Sequence, residues 1–275
     1  MSGDAILALE APLRLSVFAA LFLLLAVLER VHPCRGDARP ARRQGVNLGL
    51  AVLDSLVLRL GFPMLAVGFA VHMQLQGIGL LPWLGLAGVP AFLLALLLLD
   101  LGIYGQHRLL HAVPLLWRLH RVHHADLGFD TTLGVRFHPL EMVLSLALKC
   151  GLIALLGAPP LAVLVFEVLL SAGALFTHAD LALPTGLERT LRRVLVTPAM
   201  HRVHHSVHRD ETDSNFGFHL ALWDHLFRSY RAAPRDGHTA MRIGLPQYRD
   251  PAAQTLTALL LNPFRDASRP SPPPE

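Results

Sequence analysis

The chain is poor in charge, in aromatic side chains and in cysteine. Of its 275 residues only 16% are charged and 7% aromatic, and two are cysteines. A hydrophobic content of 53%, with a mean hydropathy of +0.45, excludes an ordinary soluble domain and points to a membrane class. Cys34 and Cys150 lie far apart, one of them inside an apolar run, so neither a disulfide framework nor a cysteine-based metal site follows. Lysine is almost missing too: Lys149 stands alone, so the isoelectric point near 9.7 rests on arginine. These arginines are scattered between apolar runs, without an aromatic-and-basic stripe or a nucleic-acid motif. They suit anionic lipid headgroups, and nucleic acid is not an expected partner.

What the chain does have is long apolar stretches. The first covers about residues 13–28. No small-residue cleavage site follows it; Glu29-Arg30-Val31-His32-Pro33 comes instead, so a retained span is expected rather than a signal peptide. A second covers about residues 46–71, interrupted by Asp54 and Arg59, and a third, 77–99, is free of charge and long enough to cross the hydrocarbon. A fourth region, 142–176, breaks at Gly157-Ala158-Pro159-Pro160 into pieces short for full spans, which predicts a tight helical hairpin dipping into or just across the bilayer. Arg30, Arg35, Arg39, Arg42 and Arg43 crowd the first loop, whereas the loop around 72–77 and the hairpin tip carry no positive charge. Positive-inside reasoning therefore sets the N-terminus outside. The expected fold is an all-α polytopic membrane protein of about four transmembrane helices plus a short hairpin, with a cytoplasmic helical cap. Residues 1–265 form one integral-membrane domain, and the Pro- and Ser-rich end, 266–275, reads as a disordered tail.

The cap carries the chemistry. His-Arg-Val-His-His occurs twice, at 120–124 and 201–205. On a helix, positions i+3 and i+4 fall within about 60° of position i, so each copy presents three imidazoles on one face. His107 and His111 have the i, i+4 spacing of the same geometry, directly after the third span. Pro114 ends or kinks that helix, and Thr197-Pro198 opens the one that bears the second copy. A single histidine is ordinarily a surface or core residue. Eight in three helix-spaced clusters at one membrane face exceed the three or four ligands of one zinc and suit two metals held close together. Imidazole accommodates Zn, Cu, Fe and Ni, so spacing alone does not select the metal.

The order His-x3-His, His-x2-His-His, His-x2-His-His, with the first box just after a span, resembles the fatty acid hydroxylase/sterol desaturase superfamily, whose members are integral-membrane enzymes with a histidine-ligated di-iron centre. The resemblance runs from about residue 100 to 230. It includes Leu115-Leu116-Trp117-Arg118-Leu119-His120, Arg136-Phe137-His138-Pro139-Leu140-Glu141, Thr197-Pro198-Ala199-Met200-His201 and Asp213-Ser214-Asn215-Phe216-Gly217 with Trp223-Asp224. It implies that His107, His111, His120, His123, His124, His201, His204 and His205 are iron ligands, joined by His178 in Phe176-Thr177-His178-Ala179-Asp180. Some members carry a further histidine four residues on, where this chain has Ala182; His138 or a water could meet that shortfall. His208 reads as an outer partner or solvated, and His32, His72, His219, His225 and His238 as structural or solvated.

Ligating imidazoles usually donate their second N–H to a carboxylate or carbonyl, and Asp126, Asp130, Glu141, Asp180, Asp213, Asn215 and Asp224 cluster near the boxes. Asp100, at the inner end of an uncharged span, needs a partner, expected to be Arg108 or a box histidine. By the resemblance, two irons use O2 and external electrons to hydroxylate or desaturate an aliphatic lipid: fatty acyl, sterol-like, ether lipid or carotenoid. The electrons come from a cytochrome b5-like protein or a ferredoxin, and the expected setting is a bacterial inner membrane with the histidines facing the cytoplasm. Two rivals fit less well. A metal transporter would set ionisable ligands inside the spans, which offer mainly Asp54, Arg59, Lys149 and Glu167. A zinc-dependent membrane hydrolase would want three ligands and a nearby Glu base, but no His-Glu-x-x-His occurs and the ligand surplus is unexplained.

Overall fold

Backbone polar groups in hydrocarbon must be satisfied within their own segment, and the apolar runs accordingly fold as helices. The computed structural model describes residues 2–265; the stretch read above as a disordered tail lies outside them. In chain order the first eight helices are α1 (Gly3–Val31), α2 (Ala41–Gly61), α3 (Ala66–Gln76), the short α4 (Leu80–Trp83), α5 (Gly88–Ala112), α6 (Pro114–His124), α7 (Pro139–Leu156) and α8 (Pro160–Thr177). Then come α9 (Thr185–Leu191), α10 (Pro198–His204), α11 (Arg209–Thr212) and α12 (Leu222–Leu226). Among the described residues, five stretches are long and apolar enough to cross a membrane, namely Gly3–Val31, Ala41–Trp83, Gly88–Ala112, Pro139–Leu156 and Pro160–Thr177. The protein is an all-α, multi-pass integral membrane protein.

Two helix boundaries differ from the hydropathy pattern, each for a local reason. The second apolar run is two helices, because Phe62 precedes Pro63 and adopts an extended backbone (φ −131°, ψ 126°) that ends α2. The hairpin arms are 18 residues each, about 27 Å long, so each is a full-length helix and not a short piece. Hydropathy begins only at Met142, but α7 starts at Pro139, a residue well suited to the first helical turn. His138 caps it, its Nδ1 accepting from the Leu140 N–H at 3.1 Å. Gly157, at φ +65°, supplies the left-handed turn between the arms.

The bundle core joins α3, α5, α7 and α8 through Val67, Leu99, Ile103, Leu146, Ile153, Val163 and Phe166. Two of the ionisable side chains read above inside the spans pair with each other there: Glu167 accepts from Lys149 at 2.6 Å and from Arg14 at 2.9 Å. At one end of the bundle the C-terminal turns of α5, then α6, a 3-10 turn (Thr131–Val135), the end of α8 and α10 come together as a cap. Glu29, near the end of α1, ties the first span to it. Its carboxylate accepts from Thr131 N at 2.6 Å, Thr131 Oγ1 at 2.7 Å and Asp180 N at 2.9 Å.

Candidate metal centre

Nine histidines converge in the cap as two groups: His107, His111, His120, His124 and His204 in one, and His123, His178, His201 and His205 in the other. Within each group the ligand atoms lie within 4.8 Å of one another. All nine are at most 4% exposed. Helix geometry explains the sorting. Each repeated pentapeptide sends its i, i+4 pair to one group and its i+3 histidine to the other: His120 and His124 against His123, then His201 and His205 against His204. The two copies are used with opposite sense, so each helix contributes to both groups. The first group gains a further i, i+4 pair, His107 and His111, from α5, whereas the second gains only His178. Position 182, where a matching partner would stand, lies beyond the end of α8, and Ala182 is exposed.

Hydrogen bonds fix which ring nitrogen faces inward. Nδ1–H of His107 donates to Phe216 O at 2.8 Å, that of His204 to Ser214 O at 2.7 Å, that of His123 to Arg136 O at 3.1 Å and that of His178 to Ala174 O at 2.7 Å. His120 donates to Glu141 Oε1 at 2.7 Å, and His111 to Asp213 Oδ1 at 3.2 Å. In these six the inward Nε2 is therefore a bare lone pair. Burial holds His123, His124, His201 and His205 well below the ordinary histidine range, and neighbouring imidazoles add to the effect. Burial likewise pushes His178 down to about 4 and His204 down to about 3. At neutral pH these rings are uncharged.

Bare nitrogens nevertheless face one another. His107 and His120 place their Nε2 atoms 3.1 Å apart, as do His123 and His178. With both Nδ1 positions already donating, neither partner has a proton to share, and the lone pairs repel unless a cation lies between them. Nε2 of His178 is also 2.9 Å from that of His201 and 3.2 Å from that of His205. Imidazoles bound at about 2.1 Å around one ion sit about 3.0–3.4 Å apart, which matches these separations. The buried Nε2 atoms of His111, His124 and His204 have no hydrogen-bond partner. On donor chemistry and spacing alike, the residues fit metal ions.

Aromatic rings wall the groups from water. Phe216 packs 5.6 Å from His107 and 5.1 Å from His111 (ring centroids), and Phe137 stacks on His123 at 4.7 Å. Trp117 lies 5.0 Å from His111. Gly134 belongs to this construction by close approach. A Cβ there would fall 2.5 Å from Ala174 O, the carbonyl that orients His178.

The structure leaves His138 outside both groups. Its Nδ1 caps α7 and its Nε2 donates to Leu260 O at 3.2 Å, so both nitrogens are used and no lone pair is left for a metal. His208 pairs with Asp236 at 2.9 Å near the surface. Of the seven acidic or amide outer partners expected, Glu141 and Asp213 reach a histidine directly. Asp126 and Asp130 instead bind Arg43; burial alone would raise the Asp126 carboxyl, but Arg43 and Arg136 pull it below its usual value. Asp180 accepts from the backbone of Arg35 and Gly36, Asp224 from that of Phe216 and Gly217, and Asn215 bridges Met200 O and Arg231. Asp100 takes neither expected partner. It accepts from His219 Nδ1 at 2.6 Å and Trp223 Nε1 at 2.7 Å, and Arg108 instead meets the Tyr104 side chain and the Phe216 ring. The carbonyls of Phe216, Ser214, Arg136 and Ala174 orient four of the clustered histidines yet carry no side-chain signal, so no sequence pattern could have named them.

Comparison with known proteins is consistent with this geometry. The Fatty acid hydroxylase family model matches residues 92–229. The chain is 31% identical over 176 residues to ornithine lipid hydroxylase OlsE of Rhizobium tropici, covering 64% of this chain and 51% of that protein. It is 30% identical over 141 residues to human alkylglycerol monooxygenase, covering 50% of this chain and 30% of that protein. With cholesterol 25-hydroxylase of Rattus norvegicus it shares 31% over 146 residues, 52% of this chain and 47% of that protein. The chain thus spans about half the length, or less, of these curated relatives. No solved structure matches.

Proposed function

The chain belongs to the fatty acid hydroxylase family, and from that premise we propose that it is a membrane-bound di-iron oxidoreductase that hydroxylates an aliphatic lipid. The observation that carries this reading is the sorting of nine buried histidines into two adjoining ligand groups. His107, His111, His120, His124 and His204 would hold one iron, and His123, His178, His201 and His205 the other. When bound, the pair supplies the O2-dependent oxidising power that side chains lack, with one oxygen atom entering the lipid as hydroxyl, the other leaving as water, and two electrons and two protons consumed. The residues supply the rest. Nδ1–H donation to Phe216 O, Ser214 O, Arg136 O, Ala174 O, Glu141 and Asp213 fixes the rings, and Phe216, Phe137 and Trp117 exclude water.

Hydroxylation is favoured over desaturation because the similar proteins are named hydroxylases and monooxygenases. The electrons come from a separate donor of the cytochrome b5 or ferredoxin class. The setting is a bacterial inner membrane with the cap in the cytoplasm, supported by the arginines from Arg30 to Arg43 at the cap end. The test is turnover of a membrane lipid extract by purified, iron-loaded protein with a reductant and heavy-oxygen O2. The expected product is one lipid class carrying a heavy-oxygen hydroxyl, lost in His201→Ala. An unlabelled product, or labelled product made undiminished by that variant, would overturn the proposal.

A further inference from the structure

With Asp100 claimed by His219 and Trp223, Arg108 is an arginine at the cap end of a membrane helix without a carboxylate partner among the described residues. It is exposed, and its guanidinium lies over the Phe216 ring at 5.9 Å from the centroid. Arg108 also lines a groove of about 420 Å³ on the outward face of α5, a size in the range of small-molecule sites. The remaining walls are almost wholly apolar, with Leu101, Tyr104, Gly105, Leu109 and Phe227 among them. The α5 positions follow the three- and four-residue spacing of one helix face. Leu109 is 53% exposed, and the space above Gly105 is open, with nothing within 4 Å of where a Cβ would stand. Tyr104 forms the floor. Its ring stacks on Phe227 at 5.4 Å and its hydroxyl meets Ser229 Oγ at 2.8 Å, so the groove is built and held rather than a gap between loose side chains.

The groove is amphipathic along its length. From Arg108 to Leu101 the helix falls about 10 Å toward the bilayer core, through a lining that is apolar except for the Tyr104 hydroxyl. A lipid fits with its headgroup at the arginine and its chain running down the stripe. A guanidinium is always charged and offers a planar fork of donors that matches phosphate or carboxylate oxygens. The groove is also one aromatic layer from the first histidine group. Phe216, under Arg108, packs on His107, His111 and His204 at 5.6, 5.1 and 5.7 Å.

We propose that this groove is the docking position of the lipid substrate, and that the substrate is a lipid with an anionic headgroup, phosphate or carboxylate, held by Arg108. The substrate assignment rests on the proposed hydroxylase function; the binding assignment does not. The test is titration of the detergent-purified, iron-loaded protein with fluorescent phosphatidylglycerol and with phosphatidylcholine of the same acyl chains. The wild type binds the anionic lipid about tenfold more tightly, and Arg108→Gln brings the two within about twofold, a change of about 1.4 kcal/mol or less. Arg108→Lys, which keeps charge but not the fork, retains part of the preference. Gly105→Phe and, independently, Leu109→Trp obstruct the groove and weaken binding of both lipids, with helical content and iron content unchanged. Undiminished preference in Arg108→Gln, or undisturbed binding in both groove-filling variants, would overturn the proposal. If binding behaves as stated but no anionic lipid is turned over by an enzyme active on other lipids, the substrate assignment fails while the site stands. If no lipid is oxidised at all, the hydroxylase reading fails instead.

Discussion

Glu141 offers the sharpest single perturbation. It is 3% exposed, sits in the first turn of α7, and accepts from His120 Nδ1 at 2.7 Å. That bond keeps the proton on Nδ1 and aims the Nε2 lone pair inward. Losing such a partner typically costs metal affinity about 10–100-fold. Glu141→Ala removes the acceptor and leaves a buried N–H unpaired, so its effect belongs at the upper end, about 100-fold. Glu141→Gln keeps an acceptor but loses the charge; charge-assisted bonds are roughly twice as strong as neutral ones, so about tenfold is expected. Asp213 is the internal control. It serves His111 in the same way, but at 3.2 Å and with its side chain 36% exposed, so Asp213→Asn is expected to cost less than about threefold. The assay is retention of iron against a graded chelator, with helical content followed by circular dichroism. Wild-type retention in Glu141→Ala, or an Asp213→Asn effect as large as that of Glu141→Ala, would refute the tautomer-locking role.

Three further outcomes follow from the same geometry. Gly134→Ala forces a Cβ to within 2.5 Å of Ala174 O and so displaces the carbonyl that orients His178; about one iron per chain is expected to become labile to chelator while the other stays. Glu29→Ala leaves three buried donors unpaired and is expected to destabilise the cap by about 2–4 kcal/mol, read as a lower thermal midpoint of the metal-free protein. The pH dependence has a definite sign. Burial keeps His123, His124, His201 and His205 neutral in the fold, and His178 and His204 titrate only near about 4 and about 3, whereas the unfolded chain takes up protons from about 6.5 downward. Their contribution to stability is therefore complete above pH 6.5 and lost as pH falls from there toward about 3. A thermal midpoint of the metal-free protein that rises on acidification over that window would contradict this.

The three boxes were legible in the sequence because helical spacing puts rare side chains on one face, and His178 through the family resemblance; the structure brings all nine together. Hydropathy found the spans but misjudged their ends where single residues decide. Phe62 before Pro63 cut one helix in two, and His138 began α7 three residues ahead of the apolar run. That capping role is also why His138 stays out of the cluster. Spacing could say that two metals fit, but not that each pentapeptide divides its histidines between them, which depends on how α6 and α10 face each other. The partners of Asp100 and the Phe216 carbonyl that orients His107 were illegible because they arise from contacts between segments distant in sequence.

The most direct test is the metal content of the purified chain by elemental analysis, in the wild type and with His201, His204 and His205 all replaced by alanine. About two irons per chain are expected in the wild type and fewer than about one in the variant, because those three residues serve both groups. One zinc per chain, retained undiminished in the variant, would contradict the two-metal histidine centre.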